Sequence, residues 1–126
     1  MKNSNKKNIL LIDDDIFMHQ LVKEYLKKTN FNLISSLSGQ DGLTKVKEDK
    51  IDLVLLDINM PVMDGYEVLY RIKEINPEMD VVMCTGDDRY NEISFNSGAI
   101  AYLMKPISNE KLLKIIDFVF KLQMVV

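Results

Sequence analysis

Leu53-Val54-Leu55-Leu56-Asp57, continued by Ile58-Asn59-Met60-Pro61-Val62-Met63-Asp64-Gly65, is the stretch on which the fold turns. Four apolar residues in an unbroken run form the pattern of a strand buried on both faces. A carboxylate follows at once, where such a strand leaves its sheet. Pro61 disfavours helix at Met60, so a loop comes next. Asp64-Gly65 then caps a new helix, with Val68, Leu69, Ile72 and Ile75 at helical spacing. Asp57 is therefore expected at a strand-to-loop edge, held from behind and open in front.

Outward from this stretch the pattern repeats. Ile9–Ile12 reads as a first strand ending in Asp13-Asp14-Asp15, with Asp15 capping a helix to about Lys28 that carries Met18, Leu21, Val22, Tyr25 and Leu26. Phe31–Ser35 is a second strand, and Ser38 caps a short helix carrying Leu43 and Val46. After the Asp57 strand and its helix, Asn76-Pro77 forms a stop. Val81–Cys84 is the fourth strand, breaking at Thr85-Gly86-Asp87-Asp88, and a polar fourth helix ends at Gly98. Ile100–Met104 is the fifth strand, stopped by Lys105-Pro106, and Ser108 opens the fifth helix with Leu112, Ile116 and Val119 on one side.

Five strands alternating with helices, without internal repeats, imply an α/β doubly wound parallel sheet with right-handed crossovers. Ligands of such sheets gather at the carboxyl ends of the strands, where strand order reverses. For the order 2-1-3-4-5 that point lies between the first and third strands. Asp13-Asp14 and Asp57 end those two strands, and Thr85 and Lys105 end the fourth and fifth. Three carboxylates held together call for a cation between them, and oxygen ligands with positions left to water suit Mg²⁺, with Mn²⁺ able to substitute. The backbone carbonyl of Asn59 is a candidate further ligand. Three acids balanced by a divalent ion and Lys105 are poised for a phosphoryl group landing on a carboxylate. Each residue alone has an ordinary role, as a cap, a strand end or a solvated charge. The case rests on their co-occurrence at four strand ends.

Totals narrow the function classes. At 126 residues, 47% apolar and 28% charged, the chain is one globular domain. A net charge of −3 gives no nucleic-acid footprint. No apolar run is long enough for a secretory signal or a membrane span. The lone Cys84 lies within an apolar run and reads as a buried, reduced thiol of a cytoplasmic protein. Residues 1–8, with Lys2, Lys6 and Lys7, read as a flexible basic tail.

Ile9–Asp15 (ILLIDDD), Leu53–Glu67 (LVLLDINMPVMDGYE), Thr85, Gly98-Ala99 and Tyr102–Pro106 (YLMKP) together resemble the signature of response-regulator receiver domains. The resemblance spans essentially the whole chain, as one receiver domain over residues 1–126. It implies a flavodoxin-like fold of five parallel strands in the order 2-1-3-4-5 with five helices. It further implies that Asp57 is the phosphoacceptor, served by a histidine kinase or histidine phosphotransfer protein, and that Asp13 and Asp14 hold Mg²⁺. Lys105 would contact the phosphoryl group from a cis Lys105–Pro106 junction. Thr85 and Tyr102 would form the switch, and Asn59 and Asp87 would tune dephosphorylation to seconds or minutes. Such a protein catalyses only its own phosphorylation and dephosphorylation.

Other features sit less squarely on the pattern. His19 stands where many relatives have Arg and is expected to be an exposed bystander. The segment from Thr85 to Gly98 is short for the family. Ile115, Phe118 and Leu122 form a second apolar stripe on the last helix, an interface for a downstream protein or a second copy together with the fourth helix and fifth strand. One alternative is an aspartyl-nucleophile phosphohydrolase, disfavoured because Asn59 stands where such enzymes place a second Asp. Another is a nucleotide- or flavin-binding module, for which Asp13–Phe17 lacks a glycine-rich loop. A third is the receiver portion of a longer regulator. Direct DNA binding is not expected, since no recognition helix follows the fifth.

Overall fold

The computed structural model describes residues 6–86 and 97–125. Its strands are β1 (Lys7–Ile12), β2 (Phe31–Ser36), β3 (Leu53–Asp57), β4 (Val81–Thr85) and β5 (Ala101–Met104). All pair in parallel, in the order β2-β1-β3-β4-β5. The described helices are α1 (Ile16–Leu26), α2 (Gly39–Glu48), α3 (Gly65–Ile75) and α4 (Asn109–Gln123). Thus four of the five expected helices lie among the described residues. The helix expected after Thr85, and with it Asp87, lies outside them. The helix expected as the fifth is α4.

Alternation along the strands sorts side chains into two cores. Ile9, Leu11, Leu53, Leu55, Val82, Cys84 and Leu103 face α1 and α4, whereas Leu10, Ile12, Val54, Leu56, Val81 and Met83 face α2 and α3. Covered on both sides, β3 and β4 are buried throughout. Each described helix starts where a short polar side chain satisfies a free N–H of its first turn. Asp15 accepts from Phe17, Ser38 from Asp41, Asp64 from Glu67 and Ser108 from Lys111.

Several boundaries differ from the sequence expectation. β1 begins at Lys7, so two residues of the expected tail belong to the sheet, where Lys7 pairs with Phe31. Asp57 and Thr85 are the last residues of their strands, because Asp57 pairs with Cys84 and Thr85 with Met104. α1 stops at Leu26, where the main-chain N–H of Lys27 turns back to Glu24. Leu21 is exposed and not part of the buried stripe of α1.

His19 is the largest correction. It is 7% exposed, not a surface bystander, and its Nε2 lies 2.7 Å from the main-chain oxygen of Asp13. The stripe that α1 buries is Met18, His19, Val22 and Leu26. The spacing of 19, 22 and 26 is that of a helix face, and it carried the signal that the polarity of histidine obscured.

Candidate functional site

Because all five strands run parallel, their carboxyl ends open on one edge of the sheet. β1 delivers Asp13 there, and β3 delivers Asp57 next to it. Gly65 lets α3 start hard against this edge: a Cβ on it would sit 2.5 Å from the Asp57 carbonyl oxygen and 2.7 Å from Ile58 Cα. Its N–H donates to Ile58 O at 2.8 Å, and the Ile58 N–H to Cys84 O at 3.0 Å. The backbone around Asp57 is thereby tied to both β4 and α3.

One carboxylate oxygen from each of Asp13, Asp14 and Asp57 lies within 4.8 Å of the others. Asp13 and Asp57 are buried and Asp14 is exposed, so the cluster has a closed back and an open front. Lys105 reaches in from the end of β5, its Nζ donating to Asp13 Oδ2 at 3.0 Å and to Asp57 Oδ1 at 3.2 Å. Its main-chain N–H donates to Thr85 O at 2.6 Å, and the Lys105–Pro106 peptide is cis as expected.

Burial, then the neighbouring charge of Asp13, pushes the Asp57 carboxyl up from 3.8 to about 6, although Lys105 pulls the other way. Burial opposes the Lys105 ammonium, but the hydrogen bond and charge of Asp13, with those of Asp57, outweigh it and hold the amine above its usual value. Ionised, three carboxylates and one ammonium leave a charge of −2 at the mouth. Oxygen donors grouped in this way, open on one side, fit a hard divalent cation, and Asp13, Asp14 and Asp57 could hold one.

Thr85 is fully buried at the end of β4. Tyr102 is half-buried and packs against the α2–α3 core. Asn59 is exposed, its N–H 3.4 Å from Asp57 Oδ1. Cys84 is a free, buried thiol, which burial pushes up to about 12. It therefore stays protonated behind the site. On the last helix, Phe118 and Leu122 are exposed, whereas Ile115 is partly buried against the core.

Two features of the site were not visible in the sequence. Val62 has φ +70 in a three-residue turn closed by Met63 N–H to Pro61 O at 2.7 Å, and its side chain is fully exposed. Tyr25 on α1 donates its hydroxyl to Ile107 O at 2.8 Å, which ties that helix to the loop carrying Lys105.

Residues 9–117 match the family model of the response regulator receiver domain. The chain is 32% identical over 112 residues to the chemotaxis protein CheY of Bacillus subtilis, covering 86% of this chain and 93% of that one. It is 33% identical over 109 residues to the transcriptional regulatory protein ZraR of Salmonella typhimurium, covering 85% of this chain but 25% of that longer one. The solved CheY-like receiver domain from Methanospirillum hungatei superposes with a TM-score of 0.87 at 30% identity, over 97% of this chain and all of that one. With sequence, fold and acidic mouth in agreement, the chain belongs to the response regulator receiver domains of two-component signalling.

Proposed function

We propose that Asp57 accepts a phosphoryl group from a phosphohistidine donor, with Mg²⁺ held by Asp13, Asp14, Asp57 and the carbonyl of Asn59. The observation that carries this reading is Lys105 Nζ bridging Asp13 and Asp57 at the open end of the three-acid cluster. The Asp57 carboxylate attacks phosphorus as the phosphorus–nitrogen bond to the donor imidazole breaks, and the imidazole leaves with a proton from solvent. Lys105 compensates the charge arriving on the phosphoryl oxygens. A divalent ion held by Asp13, Asp14 and Asp57 would supply further neutralisation of negative charge there. The buried walls of β3 and β4 hold Asp57 in place and cost no reorganisation during transfer.

The partner is a histidine kinase or histidine phosphotransfer protein. Exposed Ile16 and Phe17 open α1 next to Asp15, and exposed Leu37 and Val62 lie on the loops after β2 and β3. An apolar hollow of about 190 Å³ beside Asp14, lined by Leu37, Met60, Pro61, Val62 and Met63, completes this rim. Exposed apolar residues grouped beside the charged mouth suit docking of a protein donor.

Phosphorylation then biases Thr85 and Tyr102 toward a second arrangement. The face formed by β5 and α4 docks a downstream protein or a second copy, through the exposed Phe118 and Leu122. Water attacks phosphorus and breaks its bond to the Asp57 oxygen, releasing phosphate and restoring the carboxylate, at a rate tuned by the residue types at Asn59 and Asp87. The chain thus acts on itself and not as a metabolic enzyme. Incubation with acetyl phosphate and Mg²⁺, read by intact mass, tests this. One phosphoryl adduct on the wild type and none on Asp57→Asn is the expected result. An adduct that persists in Asp57→Asn, or sustained turnover of phosphate esters without an adduct, would defeat it.

A further inference from the structure

We infer that His19 is a positioning residue for the acidic pair, holding the peptide between Asp13 and Asp14 through the Asp13 carbonyl. This rests on the reading of Asp13, Asp14 and Asp57 as divalent-ion ligands and extends it to a residue outside the mouth.

Asp13 is anchored at every polar group. Its N–H donates to Ser36 O at 3.1 Å, its Oδ1 accepts from the Asp15 N–H at 2.9 Å, and its Oδ2 accepts from Lys105 at 3.0 Å. The remaining group, the carbonyl, accepts from His19 Nε2 at 2.7 Å. A carbonyl can only accept, so Nε2 carries hydrogen. The distance is at the short end for such a bond. That carbonyl belongs to the peptide whose other end is Asp14, the exposed member of the acid cluster. Fixing the plane of this one peptide fixes where the Asp14 Cα stands relative to Asp13, and so narrows the positions its carboxylate can take. The alternative to a positioning role is simple core filling. Against it, Nδ1 of His19 is buried and has no hydrogen-bond partner among the described residues. A buried unpaired nitrogen is unfavourable, and an apolar side chain would fill the same space without it. The ring makes sense at this position through the bond of its other nitrogen.

The test compares His19→Phe, which keeps the volume and loses the donor, with His19→Gln, whose amide can reach the same carbonyl. His19→Leu stands in should the Phe variant not fold. Mn²⁺ affinity is measured by titration, with amide hydrogen exchange at Asp14 and Asp15 followed without metal. The apolar variants should bind Mn²⁺ about tenfold more weakly and Gln within about twofold of wild type, as expected for a group supporting a metal ligand from behind. Exchange at the Asp15 N–H should quicken in the apolar variants and be restored in Gln. Equal affinities in all variants, or an equal loss in Gln and Phe, would overturn the positioning role while leaving the metal site standing. A wild type that does not bind Mn²⁺ would overturn the metal reading and this inference with it.

Discussion

Replacing Asp57 by Asn should make the protein more stable at neutral pH in the absence of divalent ions. Asp57 is 6% exposed at the side chain and faces Asp13. Its carboxyl is raised from 3.8 to about 6, chiefly by burial and then by Asp13. The native state therefore holds a proton on Asp57 more tightly than the unfolded chain does. Stability from this group is complete below pH 3.8 and is lost as pH rises through 6. At about 1.4 kcal/mol per tenfold difference, the ceiling on the loss is about 3 kcal/mol. Lys105 is 27% exposed in the same mouth, and solvent screening there leaves about 1–2 kcal/mol. Asparagine is close in shape to a protonated carboxyl and does not ionise, so it escapes this penalty.

The assay is thermal unfolding of wild type and Asp57→Asn from pH 4 to pH 8 with a chelator present. The variant should melt about 4–8 °C higher above pH 6.5, since about 1 kcal/mol moves the midpoint by about 4 °C in a chain of this length. The gap should close toward pH 4. Adding Mg²⁺ should stabilise the wild type more than the variant and narrow the gap. A variant less stable at pH 7.5, or a gap that ignores pH, would refute the claim that Asp57 is ionised at a cost when divalent ions are chelated.

Three further outcomes follow from the site geometry. Val62→Gly should stabilise by about 1 kcal/mol, because the exposed side chain loses no packing and the left-handed backbone is relieved; denaturant melts with an unchanged or lower midpoint would count against it. Gly65→Ala should cost about 3 kcal/mol or more, since the new methyl meets backbone at Asp57 and Ile58 and not a side chain able to move; a loss in the same melts of under about 1 kcal/mol would show that α3 can slide. Phe17→Ser should slow phosphorylation by a phosphohistidine protein about tenfold while leaving labelling by acetyl phosphate unchanged; equal slowing of both donors would mean that Phe17 supports the site and not the partner.

Much of this arrangement was legible in the chain because it is written in local chemistry. The apolar run Leu53–Leu56, bounded by turn residues, has the pattern of a strand buried on both faces, and Asp15, Ser38, Asp64 and Ser108 each mark a helix start by side-chain geometry acting over two or three residues. Convergence of Asp13, Asp14, Asp57 and Lys105 followed from topology, since parallel strands put all their carboxyl ends on one edge. What stayed hidden depends on partners distant in sequence or on backbone angles. His19 looks like a surface residue until the Asp13 carbonyl is placed beside it. The bond from Tyr25 to Ile107 joins residues that no pattern links. Nothing in Pro61-Val62-Met63 signals a positive φ at a β-branched residue, which the turn to α3 imposes. The Thr85-to-Gly98 segment, expected to hold a fourth helix and Asp87, lies largely outside the described residues.

The central claim is that Asp13, Asp14 and Asp57 together hold a divalent ion where Asp57 receives its phosphoryl group. Paramagnetic broadening by substoichiometric Mn²⁺ in a two-dimensional amide NMR spectrum tests it most directly. Broadening should centre on residues 13–15, 57–59 and 105, and Asp57→Asn should weaken it. Broadening centred on surface acids such as Asp41 or Glu48, or spread evenly over the chain, would contradict the account.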